Sequence, residues 1–77
     1  MKTKVKELRT ARGITQERLA AMTRVTPRTI ISIEREQYSP SLMLAYRLAT
    51  VLGTTVEDLC CLRENLEEEE RRYAENQ

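Results

Sequence analysis

Apolar residues recur along the chain at the three- and four-residue spacing of amphipathic helices. The clearest case is the segment from 42 to 52, where one face carries Leu44, Ala45, Leu48, Ala49 and Leu52. The alternation of apolar and polar residues that favours strands is weak throughout. Glycine follows two of the periodic segments, at positions 13 and 53, where it can end a helix in the left-handed conformation. The pattern therefore predicts an all-α fold.

Helix-capping residues divide this pattern into five predicted helices. A hydroxyl residue precedes four of the periodic segments, where it can accept a hydrogen bond from a backbone N–H; these residues are Thr15, Thr26, Ser41 and Thr55. Pro27 follows Thr26, and proline suits the first helical position because the N–H that it lacks would be unpaired there. Asp58 lies three residues after Thr55, as in a variant of the capping box. The predicted helices cover residues 4–12, 16–22, 27–35, 42–52 and a short segment after Thr55.

The composition of the chain changes after Leu62. Glu67 to Glu70 form an acidic run, which Arg71 and Arg72 follow. Such a segment is typical of a solvated helical extension or a frayed end, so we divide the chain into a domain at 1–62 and a charged tail at 63–77. Residues 60–63 could form a strand instead. A further alternative is a dimer seam, because apolar residues recur here at helical spacing, at Leu59, Leu62, Leu66 and Tyr73.

The net charge of +1 conceals an uneven distribution along the chain. Residues 1–35 carry nine Lys or Arg against three Glu, a net charge of +6, whereas residues 36–77 carry four Arg against nine acidic residues, a net charge of −5. A basic first half suits a polyanionic ligand such as nucleic acid. The alternative is that these side chains only solvate the surface.

The composition argues against several other classes of protein. The chain has no histidine, and Cys60 and Cys61 are adjacent, so no metal-binding spacing occurs and two reduced thiols are expected. We find no nucleophile–base pair and no phosphate-binding glycine loop, which argues against an enzyme and against a cofactor. No apolar run is long enough to span a membrane and no export signal follows the first lysines, so we expect a cytoplasmic protein.

The second and third predicted helices are short and are joined by a tight turn, an arrangement typical of a helix-turn-helix. On the third helix the isoleucines at 30 and 33 lie on one side, while Arg28, Ser32 and Arg35 lie within about 60° of one another on the other side. Arginine can bond bidentately to guanine and serine can bond to several base edges, so this face suits the major groove of DNA. Ile31, beside the polar face, could contact a thymine methyl group or pack against a neighbouring helix.

Four short motifs occur in an order that resembles the Cro/phage-repressor family of helix-turn-helix regulators, the XRE-like group. They are ITQERLA at 14–20, VTPRTIISIE at 25–34, YSPSL at 38–42 and GTTVEDL at 53–59. The ordered series is more specific than any single motif. The resemblance implies a compact, five-helix, lambda-repressor-like domain that binds double-stranded DNA as a homodimer on a palindromic operator, with repression of transcription as the usual consequence.

The resemblance also implies roles for individual residues at the DNA. Gln16 and Thr29 would contact phosphates, and Pro27, Arg28 and Ser32 occupy base-facing positions. The unpaired N–H groups at the starts of the second and third helices, after Thr15 and Thr26, favour a nearby phosphate. The segment that follows the third helix would lie along the backbone of the same half-site, with contacts from Arg35, Gln37, Tyr38 and Ser39.

Three positions depart from the family pattern. Arg24 and Glu36 stand where the family commonly has glycine, and a left-handed backbone there costs on the order of 1 kcal/mol. A phosphate contact by Arg24 can offset that cost, whereas the charge of Glu36 would repel DNA. Pro27 donates no hydrogen bond at its base-facing position, so specificity would depend more on Arg28 and Ser32.

The resemblance implies an ion pair between Arg9 and Glu34 that ties the first helix to the third; two exposed charges are the alternative. For the dimer contact we predict Val56, Leu59 and Leu62. The acidic tail could instead engage a protein partner, as in an antitoxin that binds its toxin, and no membrane partner is expected.

Overall fold

The computed structural model describes residues 1–76, and the segment predicted as a charged tail ends at Gln77, which lies outside them. The described residues form six helices: α1 Val5–Ala11, α2 Gln16–Thr23, α3 Pro27–Glu34, α4 Leu42–Leu52, α5 Val56–Leu59 and α6 Leu62–Glu75. The all-α fold is thus confirmed: α1 to α5 are the five predicted helices, and α6 lies in the segment where a charged extension is expected. The sequence alone does not distinguish a helix there from a strand or a frayed end, because the composition of the segment is charged rather than apolar.

Side-chain caps start three of the helices as predicted. Thr15 Oγ1 accepts from the backbone N–H of Arg18 at 3.0 Å. Ser41 and Thr55 act in the same way, at 3.2 Å each, on the N–H groups of the third residue beyond. Thr26 has the extended backbone of a capping residue, but its side chain caps no N–H group among residues 1–76. Its hydroxyl lies 3.2 Å from that of Thr29 instead, so the predicted capping bond is wrong at this position.

Four helices end in the same left-handed turn. In each, one backbone N–H after the helix bonds to the carbonyl three residues earlier, and the next N–H bonds to the carbonyl five residues earlier, which is the pattern of a Schellman motif. After α2, for example, Arg24 N bonds to Ala21 O at 3.4 Å and Val25 N bonds to Ala20 O at 3.0 Å. The residues with positive φ in these turns are Gly13, Arg24, Glu36 and Gly53. The left-handed conformation expected at the two family glycine positions is therefore confirmed.

The core lies where α4 packs against α1, α2 and α5. Five residues of α4 are buried, in one cluster with apolar side chains of α1, α2, α3 and α5. The apolar residues with 0% exposure are Val5, Leu19, Ile30, Ile33, Leu48 and Leu59. None of the described helices is long and apolar enough to cross a membrane.

The helix α6 leaves this core through a strained residue. Cys61 has a φ of 46° and turns the chain between α5 and α6. Asn65, one turn into α6, holds the N-terminal segment, because its side chain accepts from Lys2 N at 3.1 Å and donates to Lys2 O at 2.8 Å. No residue of α6 is buried, and its apolar stripe stays open, with Leu62, Leu66 and Tyr73 exposed by 44%, 57% and 67%.

Both cysteines are free and buried, as expected for reduced thiols. Burial, and secondarily the neighbouring Cys61, raises the pKa of the Cys60 thiol. Because the thiolate is the reactive form, the raised pKa makes Cys60 a poor nucleophile. Cys60 packs in the apolar core, and Cys61 is buried next to it.

Candidate DNA-binding interface

The helices α2 and α3 form the helix-turn-helix, and they are the most closely packed pair of helices in the domain. Arg24 forms the turn in the left-handed conformation, with φ 63° and ψ 40°. Thr23, just before it, is completely buried, and its hydroxyl donates to Leu19 O at 2.8 Å. The turn therefore keeps a fixed shape although it has no glycine.

A side chain of α4 braces the same turn. Arg47 Nε donates to the carbonyl oxygen of Thr23 at 3.2 Å, at the C-terminal end of α2 where unpaired carbonyls collect. A cation there also meets the negative end of the helix dipole. Sequence reasoning missed this residue, because a single arginine on the polar side of α4 gives no signal of its partner.

The recognition helix α3 presents its polar side outward as predicted. Ile30 and Ile33 are completely buried, whereas Arg28 and Arg35 are exposed and Ser32 is half-buried. Pro27 occupies the first turn and is exposed, together with Thr26. The helix therefore offers two arginines, a hydroxyl and its own start to a ligand.

An ion pair at the edge of the core fixes the orientation of α3. Arg9 Nε and Nη2 donate to the two carboxylate oxygens of Glu34 at 2.6 and 3.2 Å. The side chains are only 11% and 4% exposed, and Arg9 Nη1 also donates to Ile14 O at 2.8 Å. The hydrogen bond with Glu34 raises the pKa of Arg9 above its ordinary value. The predicted pair exists, and the alternative of two exposed charges is excluded.

Gln16 joins this ion pair from the start of α2. Its Nε2 donates to Glu34 Oε1 at 3.0 Å, and the residue is half-buried. A carboxamide nitrogen has two hydrogens, so one remains for an outside acceptor. The carboxylate of Glu34 thus positions the residue that was predicted to contact a phosphate.

The segment after α3 is exposed throughout its predicted contact residues. Glu36 takes the left-handed conformation with φ 61°, and Gln37 N bonds back to Ser32 O at 2.9 Å. Gln37, Tyr38 and Ser39 are all exposed, with 45% for Tyr38. All three side chains are therefore accessible to a ligand.

The structure corrects one of the three predicted dimer residues. Leu59 is completely buried in the core of its own chain, which leaves it no surface for a second copy. Its spacing to Leu62 suggested one continuous helix, but the left-handed Cys61 breaks the helix between them. Val56 is half-buried and Leu62 is 44% exposed, so both can still contact a partner.

Comparisons with known proteins agree with this geometry. A family profile described as Helix-turn-helix matches residues 5–59. An HTH-type transcriptional regulator of Methanothermobacter thermautotrophicus is 47% identical over 66 residues, covering 84% of this chain and 96% of that protein. A second such regulator, from Bacillus subtilis, is 42% identical over 64 residues, covering 83% and 97%.

Solved structures show the same fold. The clp gene regulator ClgR from Corynebacterium glutamicum superposes with a TM-score of 0.68 at 26% identity, covering 87% of this chain and 79% of that one. The restriction-modification controller protein C.AhdI from Aeromonas hydrophila gives a TM-score of 0.66 at 34% identity, covering 71% and 83%. The matched profile, the relatives and the helix-turn-helix at α2–α3 together show that the chain belongs to the XRE-like family of DNA-binding helix-turn-helix transcriptional regulators.

Proposed function

We propose that this protein is a sequence-specific repressor that reads the major groove of its operator with α3. The observation that carries the proposal is the distribution of charge around that helix, with its carboxylate facing inward and arginines facing outward. Glu34, its only acidic residue, is tied inward by Arg9 and Gln16, while Arg28 and Arg35 form no ion pair within residues 1–76. The outward face is thus positive, and no carboxylate among residues 1–76 pairs with its two arginines.

Base reading is proposed for Arg28 and Ser32, with Pro27 beside them. Arg28 lies one residue inside α3, where its side chain can reach a guanine, and serine can bond to several base edges. Pro27 offers only an apolar surface and no donor. Specificity therefore depends mainly on two side chains in each half-site.

Backbone anchoring is proposed for the residues around this reading surface. The hydroxyl of Thr26 caps no N–H group among residues 1–76. Pro27 has no N–H and Thr29 N bonds to Thr26 O at 3.0 Å, so the N–H of Arg28 is the group proposed to donate to a phosphate. Gln16 has one carboxamide hydrogen left, and Arg24 is exposed in the turn. The further proposed backbone contacts come from Thr15, Thr29, Arg35, Gln37, Tyr38 and Ser39.

A two-fold dimer on a palindromic operator completes the proposal. Half-sites then repeat at about one turn of DNA, so that two copies of α3 enter successive major grooves. Val56 and Leu62 are proposed for the contact. A bound dimer would repress by blocking the polymerase, and we expect it to act in the cytoplasm.

Selection of bound sequences from a random DNA pool tests this function. We expect enrichment of a palindrome whose half-sites contain guanine. A pool that shows no preference, or that yields a single unrepeated half-site, would contradict the proposal of a sequence-specific dimer.

A protein partner is a second proposal, and the surface of α6 favours it. Leu62, Leu66 and Tyr73 form an exposed apolar stripe beside the acidic run at 67–70, which suits a basic partner such as a toxin. Coexpression with the product of the neighbouring gene tests this function. The expected result is a complex that truncation after Leu66 abolishes while DNA binding persists; a complex that survives truncation would contradict the role of α6.

A further inference from the structure

Three helices meet in a cleft beside the polar face of α3 that carries Arg28 and Ser32. It is lined by Lys6 of α1, Gln16 of α2, Ile31 and Glu34 of α3, and Arg35, which directly follows α3. Ile31 is half-buried and lies at the border of the polar side of α3. The cleft therefore opens next to the surface proposed to enter the major groove, and α1 forms one of its walls.

The charge of this cleft is positive. Glu34 contributes its only carboxylate, but that group is 4% exposed and already accepts from Arg9 and Gln16. Lys6 and Arg35 are both exposed, and within residues 1–76 neither forms an ion pair. Two cations and one remaining carboxamide hydrogen thus border the same space, a donor set that suits a phosphate.

We propose that this cleft holds one phosphate of the DNA backbone between Lys6 and Arg35, which makes Lys6 of α1 part of the DNA interface. The inference rests on the proposed function, because the phosphate belongs to the half-site that α3 reads. Lysine reaches a phosphate as a point charge on a flexible stem, so the contact carries no base information. Gln16 completes the site as a neutral donor.

Lys4 offers a matched control for Lys6. It has the same charge and lies two residues earlier, but it lines a different cleft, together with Glu57, Asp58 and Glu64. Acidic side chains dominate that cleft, which makes it unsuited to a phosphate. Removing either lysine changes the net charge of the protein equally, so a difference between the two variants reports on position.

The experiment measures the DNA affinity of the wild type, Lys6→Gln and Lys4→Gln as a function of salt, by fluorescence anisotropy on one random-sequence duplex. Each phosphate contact adds about 0.9 to the slope of log affinity against log salt. We expect Lys6→Gln to reduce the slope by about 0.9 for each bound copy and to weaken binding roughly 3- to 10-fold at 0.1 M salt. Lys4→Gln should match the wild type, and Lys6→Arg should restore the slope.

The outcomes separate this inference from the proposed function. A steep wild-type slope that Lys6→Gln leaves unchanged would overturn the phosphate site alone. Equal losses in Lys6→Gln and Lys4→Gln would also overturn it, because net charge would then explain the effect. A wild type with no salt-dependent affinity for DNA would overturn both proposals. Unchanged circular dichroism of the variants controls for folding.

Discussion

Arg9 and Glu34 form a nearly buried, bidentate ion pair that joins α1 to the recognition helix, with Arg9 Nε 2.6 Å from Glu34 Oε2. Gln16 adds a bond to the same carboxylate at 3.0 Å. One side chain of α3 therefore fixes the first helix and the start of the second. Because the carboxylate faces inward, the charge of α3 that remains outside is positive.

Removal of this carboxylate should destabilise the protein. Glu34→Ala leaves a poorly compensated guanidinium and an unpaired carboxamide, which we expect to lower the free energy of unfolding by about 1–3 kcal/mol. Urea unfolding followed by circular dichroism measures the change. The control is Glu7→Ala, an exposed carboxylate on α1, whose effect should stay within about 0.5 kcal/mol. Equal midpoints for the two variants would show that the ion pair contributes nothing to stability.

Much of the fold could be predicted from local sequence rules, and the failures have physical causes. Hydroxyl residues before apolar periodic segments located the caps at Thr15, Ser41 and Thr55, because capping depends on neighbours three residues away. Glycine marked two of the left-handed helix ends, whereas only the family resemblance marked Arg24 and Glu36. Nothing in the sequence marked Cys61, whose left-handed turn separates Leu59 from α6.

The site residues on α3 could be predicted from the sequence, whereas the contacts that surround this helix could not. Arg28, Ser32 and Arg35 share a face because of helical periodicity alone, which is a local property. The bond from Arg47 to Thr23 joins residues 24 positions apart, and the cleft beside Lys6 needs three helices in place. Such contacts follow from tertiary packing, which periodicity does not encode.

Glu36 tests the cost of the left-handed helix end. With φ 61° its Cβ is strained, so Glu36→Gly should raise the free energy of unfolding by about 0.5–1 kcal/mol. Glu36→Ala removes the same charge but keeps the Cβ, so it should give no comparable gain. Urea midpoints of the two variants provide the comparison. A gain of equal size in Glu36→Ala would assign the effect to charge rather than to the backbone.

The ion pair between Lys2 and Glu64, 2.7 Å long, should make Glu64 sensitive to pH in a defined direction. The hydrogen bond from Lys2, then its charge, lowers the pKa of Glu64. Because the pKa is lowered on folding, the stabilisation is present above the unfolded pKa and is lost as pH falls through the folded pKa. We expect Lys2→Gln to raise the pKa of Glu64 towards its ordinary value.

An NMR titration of the side-chain carboxyl carbons measures that pKa directly. Lys4→Gln is the control, since Lys4 is the weakest of the influences on this carboxyl, and it should shift the pKa less. A pKa of Glu64 that is the same in the wild type and in Lys2→Gln would show that the ion pair does not persist in solution.

Two exposed apolar surfaces are candidates for the contact in the proposed dimer. One is the stripe of α6 that begins at Leu62, and the other lies on α4, where Leu42, Met43 and Tyr46 are exposed by 75%, 60% and 61%. We expect Leu62→Glu to convert the dimer into a monomer, because it places a charge in an apolar contact. Leu42→Glu should remain dimeric. Sedimentation velocity decides, and a monomeric Leu42→Glu beside a dimeric Leu62→Glu would move the interface to α4.

The central proposal is that Arg28 contacts a base while Gln16 contacts the DNA backbone. Alanine substitutions at the two positions should therefore have different effects on the affinities for specific and non-specific DNA. Arg28→Ala and Gln16→Ala are each measured on the selected operator and on scrambled DNA. Arg28→Ala should cost about 1–3 kcal/mol on the operator and little on scrambled DNA, whereas Gln16→Ala should weaken both by a similar factor. An Arg28→Ala variant that loses affinity equally on both DNAs would contradict base reading by this residue.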